Sequence, residues 1–274
     1  VPVLRLSFSN LAEADGAIAY GSGQACNYCS TEAQQPQRPF RPWRSVDTQT
    51  TQEWLLDLGS SQTVALVGLV NAGFTSATIQ GASSSGLFAA PTYSEAVALT
   101  CDPLSWRLQH AHLATGFGYR WLRIKLDPTT ATCAGGPTLG STYWELGGVW
   151  VAGALTDTPT HLRVPAGLRT VRPKLDVGPP HGGWSQRLRL GEPRVQIRGS
   201  VKACTDPASP GLGDALEDWQ DVARRAWSAD YFYTYLNLGD VRQGYVMRWA
   251  DDPDWQAAGA EAETMITLDE VVGP

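Results

Sequence analysis

Thr51-Gln-Glu-Trp-Leu-Leu-Asp-Leu-Gly59, followed by Val64-Ala-Leu-Val-Gly-Leu-Val70, is the stretch on which the reading of this chain turns. The first segment alternates apolar and polar side chains and stops at a glycine. That is the pattern of a strand with one face on a core and a turn at its end. The second is apolar almost throughout, so it reads as a strand covered on both faces. Working outward, Ser76-Ala-Thr-Ile-Gln-Gly81 is a further short strand, and Tyr119-Arg-Trp-Leu-Arg-Ile-Lys-Leu126 alternates again. Tyr143-Trp-Glu-Leu-Gly-Gly-Val-Trp-Val151 closes the series, and its glycine pair predicts a bulge. Short strands separated by long Gly-, Pro- and Ser-bearing loops make an antiparallel sandwich. The loops 20–42 and 127–141 are too long to be mere connectors.

The whole chain has 274 residues, enough for two domains of ordinary size. Its 28 Gly, 18 Pro and 11 Trp, set against two Met, mark it as β-rich and loop-rich. Lys and Arg number 21 against 27 Asp and Glu, a net charge of −6, which excludes nucleic acid as a partner. No window approaches the roughly 18 consecutive apolar residues of a membrane span. The N-terminus alternates at once, without a signal-peptide pattern, so the chain is expected to be soluble and untargeted. A polar, Pro-containing stretch at 154–164 reads as a linker between domains at 1–153 and 165–274. In the second domain, alternation runs through 168–177, 184–190 and 194–203. A helix is predicted over 214–227, opened by the capping-box spacing of Asp214-Ala-Leu-Glu217. It carries Leu216, Trp219, Ala223, Ala226 and Trp227 at helical intervals. Strands at 231–236, 241–249 and 262–272 complete a second β-sandwich or split barrel with one α-helix. The predicted fold class is therefore mainly β.

Five cysteines are an odd number for a disulfide scaffold. Cys26 and Cys29 have the spacing of two thiolates on one tetrahedral metal, with Cys101 and Cys133 as further ligands. Thiols without a metal, or disulfides between long loops, are the alternatives. His110 and His112 share a strand face, but no acidic ligand lies near them in sequence. Glu53 with Asp57, and Asp251 with Asp254, are carboxylate pairs at spacings that arise by chance as easily as by purpose. Neither a nucleophile elbow, a P-loop, a dinucleotide fingerprint nor a zinc-protease motif is present. No enzymatic activity, resident metal or cofactor is expected.

The order of motifs in the first domain resembles that of discoidin (coagulation-factor type C, galactose-binding-like) domains. The residues that carry it are Asn10-Leu11-Ala12, Pro42-Trp43-Arg44-Ser45, the segments 52–59 and 64–70, Arg120-Trp-Leu-Arg-Ile124 and the closing strand 145–151. The resemblance implies a jelly-roll β-sandwich that binds ligands through loops at one end. The cysteine pair that ties the family's termini is absent, and the first loop carries Cys26 and Cys29 instead. Trp43 and Trp54 would cap the core, while Asp57 would tie down a turn that Gly59 permits. Candidate ligand contacts are Tyr28, Arg38, Phe40 and Arg41 on the first long loop, and Phe74 on the next. Aromatic faces stack on sugar rings and arginine forks bind hydroxyls or acids. Alternatively, Phe40 anchors the loop and the arginines solvate it.

The second domain is similar in layout to modules of long-tailed phage minor tail and distal tail proteins, which assemble as rings. The features are Arg-Val-Gln-Ile-Arg at 194–198, the helix, Tyr231-Phe-Tyr, and Met247-Arg-Trp-Ala-Asp-Asp-Pro. The resemblance implies a virion protein at the tail tip, made in the host cytoplasm. Its partners would be copies of itself, the tube, hub and tape-measure proteins, and host-surface glycan. The alternative is a bacterial carbohydrate-binding protein, or an accessory module of a glycan-active enzyme. Charge is segregated here. Arg163, Arg169, Arg172, Lys174, Arg187, Arg189, Arg194, Arg198 and Lys202 lie early, and Asp251, Asp252, Asp254, Glu261, Glu263, Asp269 and Glu270 late. Such zones suit head-to-tail contacts around a ring, or pairing strand against strand within the domain.

Overall fold

The computed structural model describes residues 3–21, 28–37, 42–99, 108–131, 142–157, 163–171, 174–177, 186–189, 194–204, 215–238, 241–250, 256–258 and 261–271. In chain order the strands are β1 (Val3–Ser7), β2 (Ile18–Gly21), β3 (Trp43–Arg44), β4 (Gln52–Ala72), β5 (Ser76–Ala82), β6 (Tyr93–Ala98), β7 (Leu108–Leu126), β8 (Glu145–Ala152) and β9 (Thr156–Asp157). They continue with β10 (Arg163–Val171), β11 (Lys174–Val177), β12 (Gln186–Arg189) and β13 (Arg194–Cys204), helix α1 (Ala215–Ser228), then β14 (Phe232–Leu238), β15 (Val241–Trp249), β16 (Gln256–Ala258) and β17 (Glu261–Glu270). The protein is mainly β, as the sequence pattern predicts. It divides into two compact units, Val1–Thr158 with Tyr231–Val246, and Pro159–Asp230 with Met247–Val272. Residues 231–246, read above as part of the second domain, thus cluster with the first unit. Among the described residues no helix is long and apolar enough to cross a membrane.

The first unit is an antiparallel sandwich built on one pair of long strands. The segments 51–59 and 64–70, read as two strands, are parts of the single strand β4, which runs antiparallel to β7. Register shifts after Asp57 and after Val64 divide that ladder, so that 52–57 pairs with 121–126 and the remainder of β4 with 108–119. The first half is extended by β2 on one side and by β5 and β6 on the other. The second half is extended by β8 and then β3. The same two strands therefore supply both layers.

The bend between the halves has a specific chemistry. Gly59 sits at φ +75°, a conformation that a Cβ would strain, and donates its N–H to Asp57 Oδ1 at 2.9 Å. Arg120 on β7 closes on the same carboxylate with a two-pronged contact, Nε to Oδ1 at 2.6 Å and Nη2 to Oδ2 at 2.7 Å. Between the layers lie Trp43, Trp54, Leu56, Val67, Leu69, Ile79, Leu122, Ile124, Trp144, Val149 and Val151, all with no exposed surface. Each such side chain contributes about 1.5–3 kcal/mol relative to exposure.

Leu66, Gly68 and Val70 lie on the alternate face of β4 and are covered as well, as the unbroken apolar run demands. β1 pairs with β14, Val3 opposite Asn237 through Ser7 opposite Tyr233. Tyr233 stacks on Trp150 with ring centroids 5.7 Å apart, and Trp150 donates Nε1–H to Ser7 Oγ at 3.1 Å. A Cβ at Gly68 would come 2.5 Å from the Tyr233 ring, so only glycine lets that ring lie flat on the strand.

The bulge expected at Gly147 and Gly148 is absent. The β4–β8 register runs unbroken from Leu66 opposite Ala152 to Ala72 opposite Leu146. Gly148 is small for another reason: Pro36, from the first long loop, sits against its backbone, and a Cβ there would lie 2.5 Å from Pro36 Cα.

In the second unit, β13 pairs with β10 on one side and β17 on the other, and β11 with β12 forms a separate hairpin. Helix α1 covers the predicted positions from 215 onward, runs one residue further to Ser228 and lies against β13, with Val222 and Ala226 buried one turn apart. Asp214 of the expected capping box lies outside the described residues. In the β13–β17 ladder the backbone register sets Lys202 opposite Glu263 and Gln196 opposite Asp269. Glu270 also accepts the Val195 N–H at 2.7 Å.

Two outcomes follow. Gly148→Ala forces Pro36 and its loop away from β8, an overpacking that costs about 1–3 kcal/mol, read as a lowered melting temperature. The Arg120 guanidinium beside Asp57 holds its carboxyl below the usual value of 3.8. That contribution is fully present above the unfolded value and is lost as pH falls through the lower folded one. The melting-temperature gap between the native protein and Asp57→Asn should be open at neutral pH and shrink in acid below 3.8. A gap indifferent to pH would remove the ion pair as its source.

Candidate functional site

The described part of the first long loop, residues 28–37, is held on the sandwich by fixed contacts. Trp54 donates Nε1–H to the Ser30 carbonyl at 2.9 Å, and Ser30 Oγ donates to the Ala19 carbonyl at 3.0 Å. Ala33 has no exposed surface, and Pro36 is buried against Gly148. Gln34 donates to the carbonyls of Ala12 and Ala17 at 2.7 and 3.2 Å and accepts the Ala19 N–H at 3.2 Å. Asn10 fastens the neighbouring turn, accepting the N–H groups of Ala12 and Val151 and donating to the Val149 carbonyl.

This anchoring delivers Tyr28 to the edge where β3 meets β8. Arg44 stands opposite Glu145 in that short ladder, and its backbone N–H reaches the Tyr28 carbonyl at 3.3 Å. The Arg44 guanidinium carbon lies 3.6 Å from the Tyr28 ring centroid and 4.8 Å from that of Tyr143. Arg44 Nε donates to Glu145 Oε1 at 2.6 Å. The two side chains are 23% and 16% exposed, enough for a ligand to reach them and too little for water to screen them fully. The Arg44 Nη groups and Glu145 Oε2 carry no further bond among the described residues. Arg123 makes the contrast clear. It is 13% exposed and spends its fork on Gln80, Glu53 and the Phe88 carbonyl, which is a structural role.

Of the residues singled out from sequence, Tyr28 is half-buried and belongs to this cluster. Phe74 does not: it is fully buried in the core and offers no face to a ligand, because its loop turns inward between β4 and β5. Arg38, Phe40 and Arg41 lie outside the described residues, as do Cys26, Cys101 and Cys133. Cys29 is half-buried, and its carbonyl accepts the Glu32 N–H that opens a short 3-10 turn. Among the described residues no three His, Cys, Asp or Glu side chains converge on a metal-sized site. Backbone register places His110 and His112 opposite Leu69 and Val67. Arg44, Tyr143 and Glu145 were not expected at a site. The signal was present, since Pro42-Trp43-Arg44 and Tyr143-Trp-Glu145 are both aromatic–charged clusters at strand ends, but their meeting depends on the pairing of β3 with β8.

No family model and no curated protein sequence matches the chain. Solved structures are similar to about half of it. A chitosan-binding module from a chitosanase/glucanase of Paenibacillus sp. IK-5 is 25% identical, with 53% of this chain and 99% of that one covered and a TM-score of 0.39. The lectin domain of lectinolysin, solved with Lewis B antigen, is 16% identical over 53% and 97% of the two chains, with a TM-score of 0.40. A fucose-binding module of Streptococcus pneumoniae is 14% identical over 53% and 96%, with a TM-score of 0.39.

Proposed function

We propose that the first unit binds a carbohydrate at the cluster of Tyr28, Arg44, Tyr143 and Glu145. The observation that carries this reading is the guanidinium set against two tyrosine rings, with Nη donors that make no hydrogen bond among the described residues. Sugar recognition needs an apolar ring face for the C–H side of a pyranose. It also needs a rigid fork of donors, with an acceptor beside it, for neighbouring hydroxyls. The cluster supplies both, and the anchored loop holds it ready so that little ordering entropy is lost on binding. Arg38, Phe40 and Arg41 continue the same loop and are proposed as further contacts at its rim.

A second reading concerns the setting. The layout of the second unit, long antiparallel strands with one helix laid on β13, supports a ring-forming module of a phage tail tip. The neighbours would then be the tube, hub and tape-measure proteins of the virion. The alternative setting is a bacterial carbohydrate-binding protein or an accessory module of a glycan-active enzyme. Light scattering distinguishes them: a closed ring of copies supports the tail setting, and a monomer at all concentrations removes it.

The glycans to try first are those of the similar solved structures: chitosan oligosaccharide, fucose and Lewis B antigen. Titration calorimetry should show that Arg44→Ala weakens binding of whichever glycan is bound by about tenfold or more, the scale of a lost charged hydrogen bond. Arg44→Lys should restore little, because an ammonium lacks the fork. An unchanged affinity in Arg44→Ala would place the glycan elsewhere.

A further inference from the structure

Residues of the anchored loop and of the turn at 12–17 line a cleft of about 350 Å³, among them Ala12, Glu13, Thr31, Gln34, Gln35 and Gln37. Its volume is within the range of small-ligand pockets. None of its residues takes part in the Tyr28–Arg44 cluster. Gln34, bonded three times to backbone, makes one fixed wall. The Glu13 carboxylate makes the other, held by the Tyr231 hydroxyl, which lies 2.9 Å from each of its oxygens.

Two features of this cleft lack a counterpart among the described residues. Among the described residues Glu13 forms no ion pair with a Lys or Arg. Gln37 Oε1 is buried and accepts no hydrogen bond. A buried acceptor without a donor costs about 1–3 kcal/mol, and a half-buried carboxylate without a cation is costlier still. Burial pushes the Glu13 carboxyl up, and the Tyr231 hydroxyl with the amides of Asn10 and Gln37 draws it back only in part. Both unmet groups are acceptors. The complement of a cleft with that imbalance is a ligand rich in donors and positively charged, and the polar amides of Gln34 and Gln35 favour one that also carries hydroxyls.

We infer that this cleft is a second ligand site, selective for a small hydroxylated molecule bearing a primary ammonium group, with Glu13 pairing the ammonium and Gln37 accepting a further hydrogen bond. The site uses other residues and another charge than the Tyr28–Arg44 cluster, and the test below separates the two places.

The test titrates the full chain with glucosamine and with glucose, which match in size and differ in charge, and follows heat of binding. Glucosamine should bind about tenfold or more tightly than glucose. Glu13→Gln should erase that difference, with its fold checked by circular dichroism. Gln37→Leu, at the edge of the loop, should weaken glucosamine binding as well and decides the matter if Glu13→Gln does not fold. Equal binding of the two probes, binding of neither, or a preference that survives in a folded Glu13→Gln protein overturns the inference. A preference lost in Arg44→Ala instead would move the probe to the other cluster and overturn it equally.

Discussion

One bend governs the first unit. β4 and β7 are each long enough to serve as two strands, and both change layer where Asp57, Gly59 and Arg120 meet. A sandwich whose layers share strands cannot slide one layer over the other without breaking that turn. The bend therefore fixes which residues face each other across the core. With Trp54 and Leu56 set before it and Val67 and Leu69 after it, the apolar side chains of one strand pack against those of its own continuation. A one-residue slip would turn every one of them outward. The carboxylate that prevents the slip is only slightly exposed, while its arginine partner is about half exposed. The geometry of the turn, more than the strength of a partly solvated ion pair, is what holds the register.

A second constraint follows from the apolar run after the bend. Strand residues 64–70 have no polar face, so a single sandwich would leave Leu66 and Val70 in water. The structure meets this with β1 and β14, strands from opposite ends of the chain, and with the Trp150–Tyr233 stack across them. Gly68 is the contact point. Its missing side chain is what brings a tyrosine ring against the strand, and the same economy operates at Gly148 under Pro36. Both glycines mark places where one backbone approaches another element, and neither marks a turn.

These glycines show where sequence reading succeeds and where it stops. Alternation, the Asp57–Gly59 turn and the doubly covered strand are local patterns, and each is legible because its cause lies within a few residues. The fusion of two predicted strands into β4 is not legible, since it depends on what β7 does sixty residues later. The glycine pair at 147–148 was misread as a bulge for the same reason: a glycine kept small by a distant proline looks like one kept small for its own backbone. The residues of the Tyr28–Arg44 cluster divide likewise. Tyr28 is an aromatic on a long loop and could be found, whereas Arg44 and Glu145 become partners only through a ladder that joins positions 101 residues apart. Phe74 failed in the opposite direction, because a loop aromatic and a core aromatic are the same letter. Segregated charge on β13 and β17 had two readings from sequence. The ladder sets Lys202 opposite Glu263 in register, the arrangement that the pairing reading requires.

The anchored loop ties these strands of argument to function. A long loop ordinarily loses much conformational entropy when a ligand fixes it, and that loss subtracts from affinity. Here the fold has already ordered residues 28–37, through Trp54 beneath Ser30, Gly148 beneath Pro36 and Gln34 bonded to the turn at 12–17. None of those anchoring groups belongs to the Tyr28–Arg44 cluster, and Gln34 reaches the cleft only as its wall. The segment thus carries both Tyr28 of the cluster and the glutamines that line the cleft. The side chains at the two places differ in chemistry: an arginine set against two tyrosine rings at one, a carboxylate without an ion pair among the described residues at the other. That separation of support from contact is what allows each set of side chains to be altered without unfolding the sandwich that carries it.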